Sequence, residues 1–494
     1  MKRPFAQKPS AGTSPSLRIL AEQAFSRAAG APLIPGNSVQ LLKDASQNYP
    51  AWIEAMNGAE KSIHFESYIL HDDATGELFA RVLEQKARQG VKVRLIYDWL
   101  GALGRTSRGF WERLRGAGVE VRCFNPPQLH HPLSWVSRDH RKMIAVDGRV
   151  GFVTGLCIGQ MWAGYPDRGI PPWRDTGVLV KGPAVADIER AFADIWATMG
   201  PPLPEDEVPE RSALHAEGDV MLRVVASIPN TAGLFRLDQL IAAAARESLW
   251  LTDAYFIGVT PYVQALQAAA RDGVDVRLLV PGTTDIPILR AFSRSGYLPL
   301  LEAGVRIFEW NGPMLHAKTA VADGRWARIG STNLNVSSWI GNYELDVSVE
   351  DEGFAGAMEK MYLEDLSRAT EIELGRRNAA LPAVKRPPGS RRRKGQGSMG
   401  RAGVGVLRAG RVVEAAITHR RELGPAESKV MLGAGLALLV LAVAALFWPR
   451  LVAVPFAVLG AWIAVALLAG AYSTWARRGK GPSAGPPPRE DGRR

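Results

Sequence analysis

The chain has 494 residues, 47% of them apolar, and a formal net charge of +11. That length suits two or three domains with a large core, and its two cysteines, Cys123 and Cys157, show no CxxC spacing, which argues against a disulfide framework or a zinc site. The charge is unevenly spread: residues 376–494 hold 21 Lys+Arg and 5 Asp+Glu, leaving 39 basic and 44 acidic residues in 1–375. An acidic body speaks against a nucleic-acid enzyme, and a basic tail points toward anionic lipid headgroups.

In chain order, the N-terminal segment (1–34) opens with MKRPFAQKPSAGTSPS, which lacks the apolar core of a signal peptide. Residues 35–205 then alternate strands and helices: KSIHFESYIL, GELFARVLEQKARQG, GVKVRLIYD, AGVEVRCFN and a hairpin, DHRKMIAVDGRVGFVTG. The Pro-rich GPPLPEDEVPE (200–210) is the expected seam. Residues 211–375 repeat the series in the same order. GVDVRLLVP (273–281) matches GVKVRLIYD (90–98), AGVRIFEWN (303–311) matches AGVEVRCFN (117–125), and LHAKTAVADGRWARIGS (315–331) matches DHRKMIAVDGRVGFVTG (139–155). The predicted fold is α/β, with two duplicated α/β sandwich halves, each built on a mostly parallel sheet.

Residues 376–428 read as a basic, Pro/Gly-rich linker. Within 429–474, two uncharged runs (430–448 and 451–472) are each long enough to span a bilayer and are separated only by Pro449 and Arg450. They predict a C-terminal transmembrane helical hairpin, followed by a basic Pro/Gly-rich tail (475–494). Arg420, Arg421 and Lys429 precede the pair and Arg477, Arg478 and Lys480 follow it. The positive-inside rule then places both ends, and the body, on the cytoplasmic side of the membrane.

The two hairpins carry the chemistry. Side chains two apart on a strand share a face, so His140 projects with Lys142 and His316 with Lys318. Asp147-Gly148 and Asp323-Gly324 are hairpin turn signals, and the second copy returns to Gly330-Ser331-Thr332-Asn333. Each feature alone reads as a solvated face, a turn or a loop. Their joint appearance at corresponding places in a duplicated unit points to one pocket with two histidines and two lysines. Such a pocket suits a phosphodiester: the lysines neutralise its oxygens, one neutral imidazole attacks phosphorus, and the other, protonated, serves the leaving alkoxide. No clustered carboxylates or histidine triplets call for a metal, and no cofactor is implied.

The paired HxKxxxxD motifs, with GSxN after the second, resemble the phospholipase D superfamily over residues 36–370. Within it, HFESYIL (64–70), VRLIYDWLG (93–101), WRDTGVLVKGPAV (173–185) and DAYF (253–256) resemble bacterial cardiolipin synthases of the form without N-terminal membrane helices. The resemblance implies a phosphatidyl transferase working through a phosphohistidine intermediate. His140 would be the nucleophile and His316 the general acid/base. Lys142, Lys318, Ser331 and Asn333 would hold phosphate, and Asp175 and Glu344 would orient the histidines. Asp147 and Asp323 belong to the motif, with an architectural role that shapes the hairpins and pairs nearby bases. The implied partners are phosphatidylglycerol, with phosphatidylethanolamine as an alternative, and an anionic membrane surface. A hydrolytic phospholipase D, a metal-independent nuclease and a non-catalytic lipid-binding scaffold are the competing classes. The first copy departs from the motif: Thr154-Gly155-Leu156-Cys157 stands where the second has Gly-Ser-Thr-Asn.

Overall fold

A computed structural model describes residues 15–127 and 137–373, with isolated positions between 436 and 462. The first half contributes β1 (Ile34–Lys43), β2 (Ser62–Ser67), β3 (Lys92–Asp98), β4 (Glu120–Phe124), β5 (Lys142–Val146), β6 (Val150–Thr154) and β7 (Thr176–Lys181). The second contributes β8 (Val220–Ser227), β9 (Ser248–Thr252), β10 (Asp275–Pro281), β11 (Arg306–Trp310), β12 (Thr319–Ala322), β13 (Trp326–Gly330), β14 (Glu344–Glu350) and β15 (Ala369–Ile372). All lie in one sheet, ordered β15-β11-β10-β9-β12-β13-β14-β8-β1-β7-β6-β5-β2-β3-β4. Read outward from the centre, the two halves have the same strand order, and β15 is an addition at one edge. The halves join where β1 pairs antiparallel with β8, Ile34 opposite Leu222.

The sheet is mixed, which corrects the expectation of a mostly parallel one. Only β2–β3, β3–β4, β9–β10 and β10–β11 are parallel. Those are the pairs joined by helical crossovers, which parallel neighbours require. The hairpins β5–β6 and β12–β13, and the strands flanking them, pair antiparallel. The crossover helix Ala74–Arg88 shows why the segment folds as it does. Asp73 caps it by accepting from the backbone N–H of Thr75 and Gly76, both at 3.0 Å. Phe79, Val82 and Leu83 bury one stripe against the sheet.

Each half has its own outer core, and a third core is shared. Val178, Phe192 and Trp196 of the first half pack in it with Leu345, Val347 and Met358 of the second. The helices Val185–Thr198 and Glu352–Leu366 supply much of this interior. Fully buried Arg141 crosses the same boundary, donating to the carbonyls of Glu344 (3.2 Å), Ala191 (2.7 Å) and Ser227 (3.1 Å). Apart from isolated positions between 436 and 462, the runs 430–448 and 451–472 lie outside the described residues, as do all of the linker (376–428) and the tail (475–494). Among the described residues no helix is long and apolar enough to cross a membrane.

Candidate active site

Both hairpin turns are built alike. Asp147 and Gly148 have φ of 55° and 65°, Asp323 and Gly324 of 51° and 60°, the left-handed pair that a two-residue hairpin needs. Asp147 accepts from the backbone N–H of Glu60 (2.9 Å), Lys61 (2.7 Å) and Ser62 (2.9 Å) as the chain enters β2. Asp323 does the same for Arg246 (2.9 Å), Glu247 (2.8 Å) and Ser248 (3.0 Å) before β9. Both carboxylates therefore satisfy main-chain donors, not basic side chains, and sit at the far end of the strand from the histidines.

The histidines flank the near ends of β5 and β12. Each is held by a carboxylate from the opposite half. His140 Nδ1 lies 2.9 and 3.1 Å from the two oxygens of Glu344, and His316 Nδ1 lies 2.7 Å from Asp175 Oδ2. The backbone makes the same exchange. His140 N–H donates to Tyr343 O (2.9 Å) and Tyr343 N–H to Arg138 O (2.9 Å); His316 N–H donates to Arg174 O (2.7 Å) and Arg174 N–H to Met314 O (3.0 Å). Each histidine is thus fixed beside its carboxylate by a short parallel bridge between halves.

Lys142 and Lys318 are buried and donate to the carbonyls of His140 and His316 respectively. The Lys318 ammonium also lies 3.0 and 3.2 Å from the His316 ring nitrogens. Ser331, expected against phosphate, lies instead behind the histidines. Its hydroxyl donates to Glu344 Oε2 (2.6 Å) and accepts from Leu345 N–H (2.9 Å). Asn333 does face the cavity, and its buried Oδ1 has no partner among the described residues. His140, His316 and Asn333 line one cavity of about 590 Å³, together with Tyr68, Arg138 and Tyr255.

A sequence profile described as "Cardiolipin synthase, PLD-like domain" matches residues 52–164 and 237–366. A cardiolipin synthase from Alkalihalophilus pseudofirmus is 34% identical over 347 residues, covering 69% of this chain and 68% of the relative. Cardiolipin synthase A from Pseudomonas fluorescens is 34% identical over 351 residues, covering 69% and 71%. The chain belongs to the phospholipase D-like family of cardiolipin synthases. The crystal structure of phosphatidylserine synthase from Haemophilus influenzae shares the fold, with a TM-score of 0.57 at 12% identity over 71% of this chain and 91% of that one.

In this family member the two dyads differ in their surroundings. Glu344 serves His140, Ser331 and the Asn342 amide (3.4 Å), whereas Asp175 serves His316 and the Thr176 N–H (2.8 Å). Gly155, at the place of Ser331, leaves room for this: a Cβ there would lie 2.2 Å from Asp175 Oδ1. Cys157, at the place of Asn333, is buried and lines the cavity, and burial pushes its thiol pKa up.

Burial, reinforced by Lys318 and Lys142, pulls the pKa of His316 down to about 4 against the upward pull of Asp175. Burial also lowers His140, with Glu344 opposing. Desolvation brings Lys318 down to about 8. Burial acts to raise Asp175 and Glu344, but the facing histidines and lysines overcome it and hold both below the usual carboxylate range. Near neutral pH the site therefore combines ionised carboxylates with imidazoles biased to the neutral form. An anion among the lysines would relieve the repulsion that adds to burial in driving His316 down.

Sequence reasoning gave no role to the aromatic frame. Tyr68 meets the His140 ring edge-on at 5.0 Å, and Trp162, Trp173 and Tyr255 surround His316 at 5.8, 5.8 and 5.9 Å. It also left Arg174 without a partner. Its guanidinium is buried between Asp365 (2.7 Å) and Asp44 (3.1 Å), directly behind Asp175.

Proposed function

We propose that this enzyme is a phosphatidyl transferase that makes cardiolipin from two molecules of phosphatidylglycerol at a membrane surface. The observation that carries the reading is the pair of cross-held histidines opening on one cavity. In the first step the neutral Nε2 of His140 attacks phosphorus, forming a P–N bond as the P–O bond to glycerol breaks. His316 gives its proton to the departing glycerol oxygen. In the second step His316 takes a proton from a glycerol hydroxyl of another phosphatidylglycerol, whose oxygen displaces His140 and restores both histidines. One cardiolipin and one glycerol result.

The unequal carboxylates support this division of roles. Glu344 divides its charge among three side-chain donors, and burial biases His140 to the neutral form that a nucleophile needs. Asp175 serves fewer donors and opposes the burial and lysine charge that pull the pKa of His316 down to about 4, so His316 becomes the acid once a bound phosphate offsets the lysines. Lys142 and Lys318 would swing from the histidine carbonyls to the non-bridging oxygens, and the Asn333 side chain would add a contact. The acidic body does not favour a nucleic-acid substrate, and the predicted C-terminal hairpin would keep the enzyme with its lipids.

The test supplies the purified full chain with phosphatidylglycerol vesicles, with and without phosphatidylethanolamine, and follows cardiolipin, glycerol and phosphatidic acid by mass spectrometry. Cardiolipin with equimolar glycerol is expected. Phosphatidic acid with equimolar glycerol and no cardiolipin would establish the hydrolytic phospholipase D reading, and absence of all three would refute both.

A further inference from the structure

Among the described residues of the catalytic body, eleven large apolar side chains are strongly exposed. Five of them, Leu100, Leu103, Ile257, Ile286 and Val336, line the cavity that holds His140 and His316. A sixth, Phe292, lies one helical turn beyond the cavity-lining Leu289 on the helix Pro287–Ser295. The spacing Ile286, Leu289, Phe292 puts these side chains on one stripe. Their exposures run from 37 to 57%, and an apolar patch gathered at one opening calls for a partner. Two exposed arginines accompany it: Arg105 on the cavity wall and Arg290 on the same short helix. Neither has an ion-pair partner among the described residues. Asp285, also at the cavity, is occupied by the Tyr255 hydroxyl at 2.8 Å.

We propose that this rim is the face by which the catalytic body seats on an anionic phospholipid bilayer, with Phe292 and Leu103 entering the acyl-chain boundary and Arg105 and Arg290 meeting the headgroup phosphates. The inference rests on the lipid-transfer reading above. A cavity of about 590 Å³ takes a headgroup, phosphate and glycerol but has no room for two long acyl chains as well. Each methylene withdrawn into water weakens partitioning by roughly fourfold, so the chains must stay in the bilayer while phosphorus reaches the histidines. That requires the mouth itself to abut the membrane. A second copy or another segment of this chain seated on the rim would block the way from the bilayer to the histidines. An apolar face edged with arginine matches the bilayer boundary.

The first measurement uses the unaltered full chain in phosphatidylglycerol vesicles carrying a lipid with a diazirine near the ester end of one acyl chain. Adducts on residues 100–105, 286–292 and 336 are expected. Adducts absent from all three segments, while present in 430–472, would overturn the proposal. The second compares turnover of long-chain phosphatidylglycerol in vesicles with that of a monomeric short-chain analogue. Phe292→Ser should lower the vesicle-to-monomer ratio about fivefold, and Phe292→Trp should hold or raise it. An unchanged ratio in both variants, or a cross-link between copies through Phe292, would refute the bilayer as occupant. If the wild type turns over neither substrate, the lipid-transfer reading fails; if it turns over both and the ratio ignores residue 292, only the docking inference fails.

Discussion

Replacing Asp175 by asparagine separates the two chemical steps. Thr176 N–H can still donate to the amide oxygen, as it now does to Oδ1 at 2.8 Å, so the segment keeps its shape. The amide nitrogen then faces His316 Nδ1, now 2.7 Å from Oδ2, and forces the ring proton onto Nε2, the wrong tautomer for a base. The charge is lost as well. With about 4 Å between charge centres and an effective dielectric near 20, the carboxylate favours imidazolium by about 4 kcal/mol. At 1.4 kcal/mol per tenfold, His316 is protonated about a thousandfold less readily. Turnover of phosphatidylglycerol is expected to fall 10²- to 10³-fold. A p-nitrophenyl phosphodiester, whose leaving group departs without a proton, should show an initial release of about one equivalent per site, slowed less than tenfold, and then stall. Stopped-flow absorbance reads both phases. Equal losses on the two substrates, or no initial release, would refute His316 as the acid/base assisted by Asp175.

Four further outcomes test other parts of the site. Asp147→Ala leaves three backbone donors without their acceptor and should cost about 2–3 kcal/mol in urea unfolding, with the kcat of the folded fraction within threefold of wild type. Ser331→Ala removes a 2.6 Å bond to Glu344 and should lower kcat about tenfold. Gly155→Ser drives a Cβ to 2.2 Å from Asp175 Oδ1, so it should cost activity at least tenfold even though it restores the residue found in the other half. Because folded His316 titrates near 4 and an unfolded histidine near 6.5, only the unfolded chain takes up that proton in between. Its stabilising contribution is complete above pH 6.5 and falls by about 3 kcal/mol as pH drops to 4; His316→Gln should lose less stability than wild type across that window in urea titrations.

Local periodicity made much of the site legible. The alternation of a strand puts His140 with Lys142 and His316 with Lys318, the Asp-Gly pairs mark the turns, and the repeat marks two equivalent halves. What stayed hidden depends on contacts across about 140 to 200 residues of chain. No local signal says that Glu344 belongs to His140 and Asp175 to His316, since a carboxylate in each half could serve its own histidine equally well. The direction of Ser331 was hidden for the same reason: it depends on Glu344 lying behind it. Alternating strands and helices suggest a parallel sheet, but the helices after β1, β7, β8 and β14 do not lead to a neighbouring strand, and these four pair antiparallel at the centre. The exposed rim is scattered over Leu100, Ile257, Ile286 and Val336, far apart in sequence, with no common motif.

The exchange between halves has a consequence for how the two copies can diverge. Because His140 takes its carboxylate from β14 and His316 takes its own from the start of the β7 segment, a change beside one carboxylate alters only the histidine opposite. The absence of a side chain at Gly155 affects Asp175, and hence His316, without touching His140. Retention of Ser331 loads Glu344, and hence His140, without touching His316. A duplicated fold can thereby give its two histidines different proton affinities while keeping both hairpins identical in geometry. Arg141 and Arg174, each buried at the junction of the halves, keep the exchanged pieces in register. Breaking the buried Arg174–Asp365 pair should therefore disturb His316 first, since His316 N–H is bonded to the Arg174 carbonyl and its carboxylate is the next residue.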